Sequence, residues 1–273
     1  MRKLKNLIFA FIILSCKLSY AQNNLNFNFS DQTLTEGKIL ALEGYEYKPS
    51  KWNGKVILMS HGSTGGDLSL IKKSYDFNNI AKEAIDNGYI FVTYMRKGRG
   101  KSEGEFTEET GRCNKANLDK EKREAELQTD QVIEQIKQKY GVSKVVLMGH
   151  SRGGFLSATY AGKNQEKILA VVNLAGAWTA VCETKNGGLG LLELEASAKK
   201  FKPQFWFYFD RDSYFAANKF NDPDYKNLNK IAGDNGVLFS RLSNYGVYEG
   251  HHTPLQKPWA WGGDLYPKLA NIK

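Results

Sequence analysis

Two pentapeptides in this chain, Gly149-His150-Ser151-Arg152-Gly153 and Gly100-Lys101-Ser102-Glu103-Gly104, have the form G-x-S-x-G. In that pattern the glycines let the backbone turn sharply enough to push a serine hydroxyl out of a strand-to-helix corner, where it can attack an acyl carbon. The string alone is weak in a chain with 26 glycines, so context decides. The first copy follows the apolar run Val145 to Met148 and leads into a helical pattern from Phe155 to Ala161. The second sits five residues past its apolar run and continues into Glu105-Phe106-Thr107-Glu108-Glu109, which does not start a buried helix. Ser151 is therefore the expected nucleophile. A phosphate-cradling reading of Gly100-Lys101-Ser102 fails as well, because the pattern needs glycine where Met95 stands and a helix directly after.

A serine nucleophile needs a base. Of the four histidines, His61 ends a strand and His150 sits inside the turn with its side chain expected to point away from the serine. That leaves His251 and His252, which come after the last apolar run, where the base falls in the chain order Ser…Asp…His. Imidazole suits the task because it exchanges a proton near neutrality. Metal is not expected: no further His, Cys or acidic cluster completes a ligand set for the histidine pair. The orienting carboxylate belongs just past the strand before last, and Phe205 to Phe209 runs straight into Asp210-Arg211-Asp212. The oxyanion would be held by two backbone N–H groups, that of Arg152 and one in the loop His61-Gly62-Ser63, taken as Ser63.

The elements that must position these groups alternate regularly. Leu25 to Phe29 alternates apolar and polar, as a half-buried edge strand does, and Ile39 to Leu42 suits its neighbour. Short apolar runs typical of buried strands follow at Val56 to Met59, Tyr89 to Met95, Val145 to Met148, Leu169 to Leu174, Phe205 to Phe209 and Val237 to Leu242. Between them lie helical patterns at Tyr75 to Asn87, Asn117 to Tyr140, Phe155 to Ala161, Leu189 to Phe201 and Asn218 to Ala232. A last helix from Trp259 to Ile272 is expected to be interrupted at Gly262, Gly263 and Pro267. Such alternation predicts a mainly parallel sheet with helices on both faces. About thirty residues separate Leu174 from Phe205, too few for a large cap.

Charge and leader bound the setting. The chain has 38 basic and 29 acidic residues, and four of the basic ones lie in the first 21 positions, which hold no acid. The remaining net charge of +5 over 252 residues, with no basic run laced with aromatics, makes nucleic acid a poor partner. Arg2-Lys3-Leu4-Lys5, the apolar run Leu7 to Leu14 and Ser19-Tyr20-Ala21 read as a signal peptide over residues 1–21, with a single domain over 22–273. Eight apolar residues are too few to span a bilayer, so no stable membrane insertion is expected and the protein is read as exported, periplasmic or secreted. The rival is Ile13-Leu14-Ser15-Cys16, which would leave a lipoprotein anchored at Cys16.

Ser60-His61-Gly62-Ser63, Arg96-Lys97-Gly98-Arg99-Gly100-Lys101-Ser102-Glu103-Gly104, Gly149 to Gly154, Tyr208 to Asp212 and Gly250-His251 together resemble the dienelactone-hydrolase-like and peptidase-like branch of the α/β hydrolases, over about residues 50–270. The resemblance implies an eight-stranded sheet with a site for ester, lactone or amide hydrolysis at its C-terminal edge. Within the pairs left open above it points to Asp212 and His251, although Phe209 stands where that branch often has glycine. Ser151 departs from the cysteine many dienelactone hydrolases use. The function expected is cleavage of an ester bond in a small-molecule or acylated substrate, with no cofactor. A peptidase, or a silent member that binds carbohydrate or peptide, is the alternative. Trp178 and Tyr214 follow strand ends on the active edge and are possible pocket lining. In the strand order usual for this fold, the strands before Cys113 and Cys182 flank the pair that carries the oxyanion loop and the serine turn. A disulfide between the two cysteines is therefore expected to brace one wall of the site.

Overall fold

A computed structural model describes residues 21–31, 37–108, 115–176, 188–212 and 223–273. The leader with Cys16, both Cys113 and Cys182, and Trp178 and Tyr214 lie outside the described residues.

In chain order the elements are β1 (Gln22–Ser30), β2 (Ile39–Tyr47), β3 (Val56–Ser60), α1 (Asn78–Asp86), β4 (Ile90–Tyr94), α2 (Lys115–Tyr140) and β5 (Val145–His150). Then come α3 (Arg152–Ala161), β6 (Ile168–Leu174), α4 (Gly188–Lys200), β7 (Gln204–Phe209), α5 (Pro223–Asp234), β8 (Leu238–Leu242), α6 (Thr253–Gln256) and α7 (Trp259–Ala270). The strands form one sheet in the order β1-β2-β4-β3-β5-β6-β7-β8. β2 runs antiparallel to both its neighbours, and every pair from β4 to β8 is parallel. This is the α/β-hydrolase architecture that the resemblance implied. β4 and β6 flank β3 and β5, as the argument for the disulfide assumed.

The period of two along each strand divides the core. Val56, Leu58, Val145 and Leu147 face α2 to α5 through Ile133, Ile136, Phe155, Leu194 and Leu228. Their neighbours Ile57, Met59, Val146 and Met148 face α1 and α7 through Ile80, Ala84, Trp261 and Leu265. The β1 edge is covered by α2. Gln131 and Gln135, one turn apart, accept from the N–H groups of Ser30 and Asn28 (2.7 and 2.9 Å) and donate to their carbonyls (3.2 and 2.8 Å). Two amide side chains thus stand in for a missing strand.

Helix ends differ from the sequence expectation by a few residues in several places, α3 starting at Arg152 and not Phe155, and two departures bear on packing. α1 starts at Asn78 because Phe77 adopts φ 54°, in the left-handed region. This frees Tyr75 to stack on the His61 ring, 5.9 Å between centroids. α7 runs without a break through Gly262, Gly263 and Pro267. Trp261, Leu265 and Leu269 are fully buried along it, and that burial outweighs the lost N–H of the proline.

Candidate active site

The site is assembled where four loops leave the C-terminal edge of the sheet. Ser151 lies between β5 and α3 at φ 55°, ψ −128°, a conformation a non-glycine residue holds only when its surroundings enforce it. They do so by close packing. A Cβ on Gly149 would lie 2.2 Å from the Gly153 carbonyl oxygen, and one on Gly153 would lie 2.2 Å from that of Ser60. The Ser151 N–H donates to the Leu174 carbonyl at 3.0 Å. Ser102 has a different setting: its Oγ is buried, accepts from the Glu43 N–H at 2.9 Å and donates to the Met95 carbonyl at 2.6 Å. Its hydroxyl ties the Arg96–Gly104 loop to β2.

After β7 the chain turns through Arg211 at φ 61° and buries Asp212 completely. The loop after β8 returns beside it, held by the Gly250 N–H on the Arg211 carbonyl at 2.9 Å. Only glycine permits this approach, since a Cβ there would be 2.0 Å from the Asp210 carbonyl oxygen. The result is a hydrogen bond of 3.0 Å from His251 Nδ1 to Asp212 Oδ2. With the proton on Nδ1, Nε2 keeps its lone pair. The other two candidates are placed elsewhere: Asp210 pairs with Arg241 at 2.7 Å, and His252 is exposed on the rim.

His150 is nearer the site than the sequence suggested. Its ring packs on that of His251, 4.7 Å between centroids, and it lines the same cavity as Ser151. Since a carbonyl only accepts, His150 Nε2–H donates to the His251 carbonyl at 2.6 Å, which fixes the backbone of that loop. Burial pushes the imidazoles of His150, His61 and His251 below their ordinary value. For His251 the Glu249 charge opposes the shift and His252 adds to it.

The loop carrying Ser63 packs directly on the serine, with the Gly62 Cβ position 3.1 Å from Ser151 Cβ. A buried arginine absent from the sequence reading of the site holds this loop. Arg96 donates to Ser60 Oγ (3.1 Å) and to the carbonyls of His61 (2.8 Å) and Gly62 (3.3 Å), and its N–H donates to His61 Nε2 (3.1 Å). Glu108 balances its charge through paired contacts with Nε and Nη2. Burial alone would raise the Glu108 carboxyl, but Arg96 beside it holds it down at about 2. With the carbonyls turned inward to Arg96, the strand end is fixed in the orientation that leads Ser63 along the cavity wall. Arg152 begins α3 and supplies one of the first N–H groups of a helix, for which no internal acceptor exists. Its side chain pairs with Glu121 at 3.2 Å.

Ser151, His251, His150, Gly62 and Ser63 line one cavity of about 550 Å³. The rest of its lining is mixed, with Lys73, Ser74, Asp76, Asn78 and Gln256 set among Leu70, Tyr75, Phe77 and Leu255.

The profile of the alpha/beta hydrolase fold matches residues 55–223. A Pyrococcus furiosus esterase superposes with a TM-score of 0.64 at 15% identity, over 93% of this chain and 92% of that one. A proline iminopeptidase of Mycobacterium smegmatis gives 0.59 at 12% identity, over 90% and 97%. A Klebsiella pneumoniae protein assigned as a dienelactone hydrolase gives 0.57 at 13%, over 89% and 99%. No curated protein sequence matches the chain. At such identities the superpositions establish the fold, and with the profile spanning most of the sequence they show that this chain belongs to the α/β-hydrolase family.

Proposed function

We propose that the protein is a serine hydrolase that cleaves an ester, or a related acyl bond, through an acyl-enzyme on Ser151. One observation carries the reading: a buried Asp212–His251 pair, bonded at 3.0 Å, opens on the same cavity as a serine held at φ 55°. In the reaction His251 Nε2 takes the Ser151 proton as Oγ attacks the carbonyl carbon. Asp212 holds the imidazole in the required tautomer and stabilises the imidazolium. The N–H groups of Ser63 and Arg152 receive the oxyanion. His251 returns the proton to the leaving oxygen, and water then attacks the acyl-enzyme by the same route, releasing the acid.

The residues supply nucleophile, base and donors without a cofactor. The substrate is a small or acylated molecule whose acyl group enters the cavity of about 550 Å³. Export, with cleavage after Ala21, is read from the leader over residues 1–21. The disulfide between Cys113 and Cys182 remains part of this proposal.

The test is a panel of p-nitrophenyl acetate and butyrate against aminoacyl p-nitroanilides, with Ser151→Ala as control. Hydrolysis of the esters, lost in the variant, is expected. Cleavage of the anilides alone would make the protein a peptidase, and folded wild-type protein that cleaves neither would make it a binder.

A further inference from the structure

The loop between β8 and α6 carries more exposed aromatic surface than its packing needs. Tyr248 is 96% exposed, and Trp259, at the start of α7, is 55% exposed. Tyr245 is exposed too, and it is held at φ 47°, a backbone state that bulky residues rarely adopt. Its ring meets that of Trp259 edge to face, with centroids 4.9 Å apart. Such a loop gains little from burial of these rings, so folding alone does not account for them.

The rings stand beside a second hollow of about 370 Å³. Tyr245 and Tyr248 form part of its wall, and Glu249, His252, Gln256 and Lys257 give it polar groups. His252 and Gln256 also line the cavity of Ser151, so the two hollows lie side by side across a shared wall. The cavity of Ser151 offers polar groups too, with Lys73, Ser74, Asp76 and Asn78 lining it beside Leu70, Tyr75, Phe77 and Leu255.

We infer that this aromatic ledge is a glycan subsite, and that the ester cleaved at Ser151 is an acyl group carried on a sugar of an oligosaccharide. The assignment rests on the serine-hydrolase reading above and names its substrate class. A sugar ring offers a C–H face to an aromatic ring and hydroxyls around its edge. The ledge and its carboxylate, amide and ammonium neighbours match both. A fatty acyl chain would need an apolar trough, and Glu249, Gln256 and Lys257 line this one. In the reaction Ser151 Oγ bonds to the acyl carbon, and the bond from that carbon to the sugar oxygen breaks. The proton His251 took from Ser151 goes to the sugar oxygen, so the sugar leaves as an alcohol. Water then releases the acid. The aromatic ledge would hold sugar units on the far side of the reacting one.

The experiment compares kcat/KM on O-acetylated xylo-oligosaccharides with kcat/KM on p-nitrophenyl acetate. We expect Tyr248→Ala and Trp259→Ala each to lower the ratio of the first to the second about five- to tenfold, mostly through KM. Tyr248→Phe, which keeps the ring, should hold the ratio near wild type. A ratio that does not move in either alanine variant, or a wild type active on the aryl ester and inert on the sugar ester, overturns the glycan assignment alone. A folded wild type inert on both esters overturns the serine-hydrolase reading, and this assignment with it.

Discussion

At the scale of single residues, the account depends on which of two adjacent pairs does the work. Asp212→Asn should lower kcat by roughly 10³–10⁴, because the amide no longer holds the imidazole proton on Nδ1. His251→Ala should cost a similar factor. Asp210→Asn and His252→Ala should each change kcat less than tenfold, since Asp210 meets Arg241 and His252 sits on the rim. Steady-state kinetics on an aryl ester checks all four, and a larger loss from Asp210→Asn than from Asp212→Asn would move the acid. Spacing alone narrowed each choice to two neighbours, and only the resemblance pointed to Asp212 and His251. What separates the two acids is the Asp210–Arg241 pair, 31 positions apart in the chain, together with a left-handed Arg211 that turns Asp212 inward. Ser151 was legible because its signal is local: strand, glycine, serine, glycine and helix follow without a gap.

At the scale of elements, the loop after β3 is held by Arg96 and Glu108, and both are buried. Breaking a buried pair typically costs about 3–5 kcal/mol, an upper bound for the loss of Arg96 because buried Arg99 also lies 3.6 Å from Glu108. Arg96→Met should therefore lower stability by up to that amount in urea titration, and adding Glu108→Gln should recover part of it. A double variant no more stable than the single one would show that the carboxylate is not what the arginine neutralises. Gly153→Ala should be at least as damaging as ordinary overpacking, about 1–3 kcal/mol or more, because its Cβ would meet the Ser60 carbonyl oxygen at 2.2 Å. Both glycines of the serine turn were readable from the motif. The arginine brace was not: Arg96 belongs to a stretch that carries the resemblance, but its contacts with Glu108 and with the His61 and Gly62 carbonyls form only in the fold. The start of α1 was missed for a related reason. The stacking of Tyr75 on His61 overrides a helical pattern that would have included it.

At the scale of the whole molecule, three buried imidazoles set how the fold responds to acid. His61, His150 and His251 are held below their ordinary value by burial, so the unfolded chain binds more protons than the native one once pH falls below about 6.5. A ring that stays neutral in the native state while the unfolded chain takes up a proton lowers stability by at most about 1.4 kcal/mol per pH unit, and all three act in the same direction as pH falls. Glu108, held at about 2, adds to the loss below its ordinary value of 4.5. Urea midpoints should be nearly flat from pH 8 to 7 and fall steeply from pH 6 to 5. A midpoint unchanged at pH 5 would mean that these rings are solvated or already charged. The alternation of apolar runs and helical periods made a mainly parallel sheet with helices on both faces legible, while the strand order was only what the resemblance implied. The two faces of the core were not legible, because the buried runs are apolar on both sides and only the packed helices tell one side from the other. The cover that Gln131 and Gln135 place over the β1 edge was not legible, because it joins residues more than a hundred positions apart.

The central claim is that one serine in this chain is activated by its surroundings, and labelling tests it most directly. A fluorophosphonate probe added to the folded protein, followed by peptide mapping, should modify Ser151 and no other serine. Labelling should vanish in Ser151→Ala, persist in Ser102→Ala and fall steeply in His251→Ala. Modification at Ser102, or none in protein that is demonstrably folded, would contradict the account.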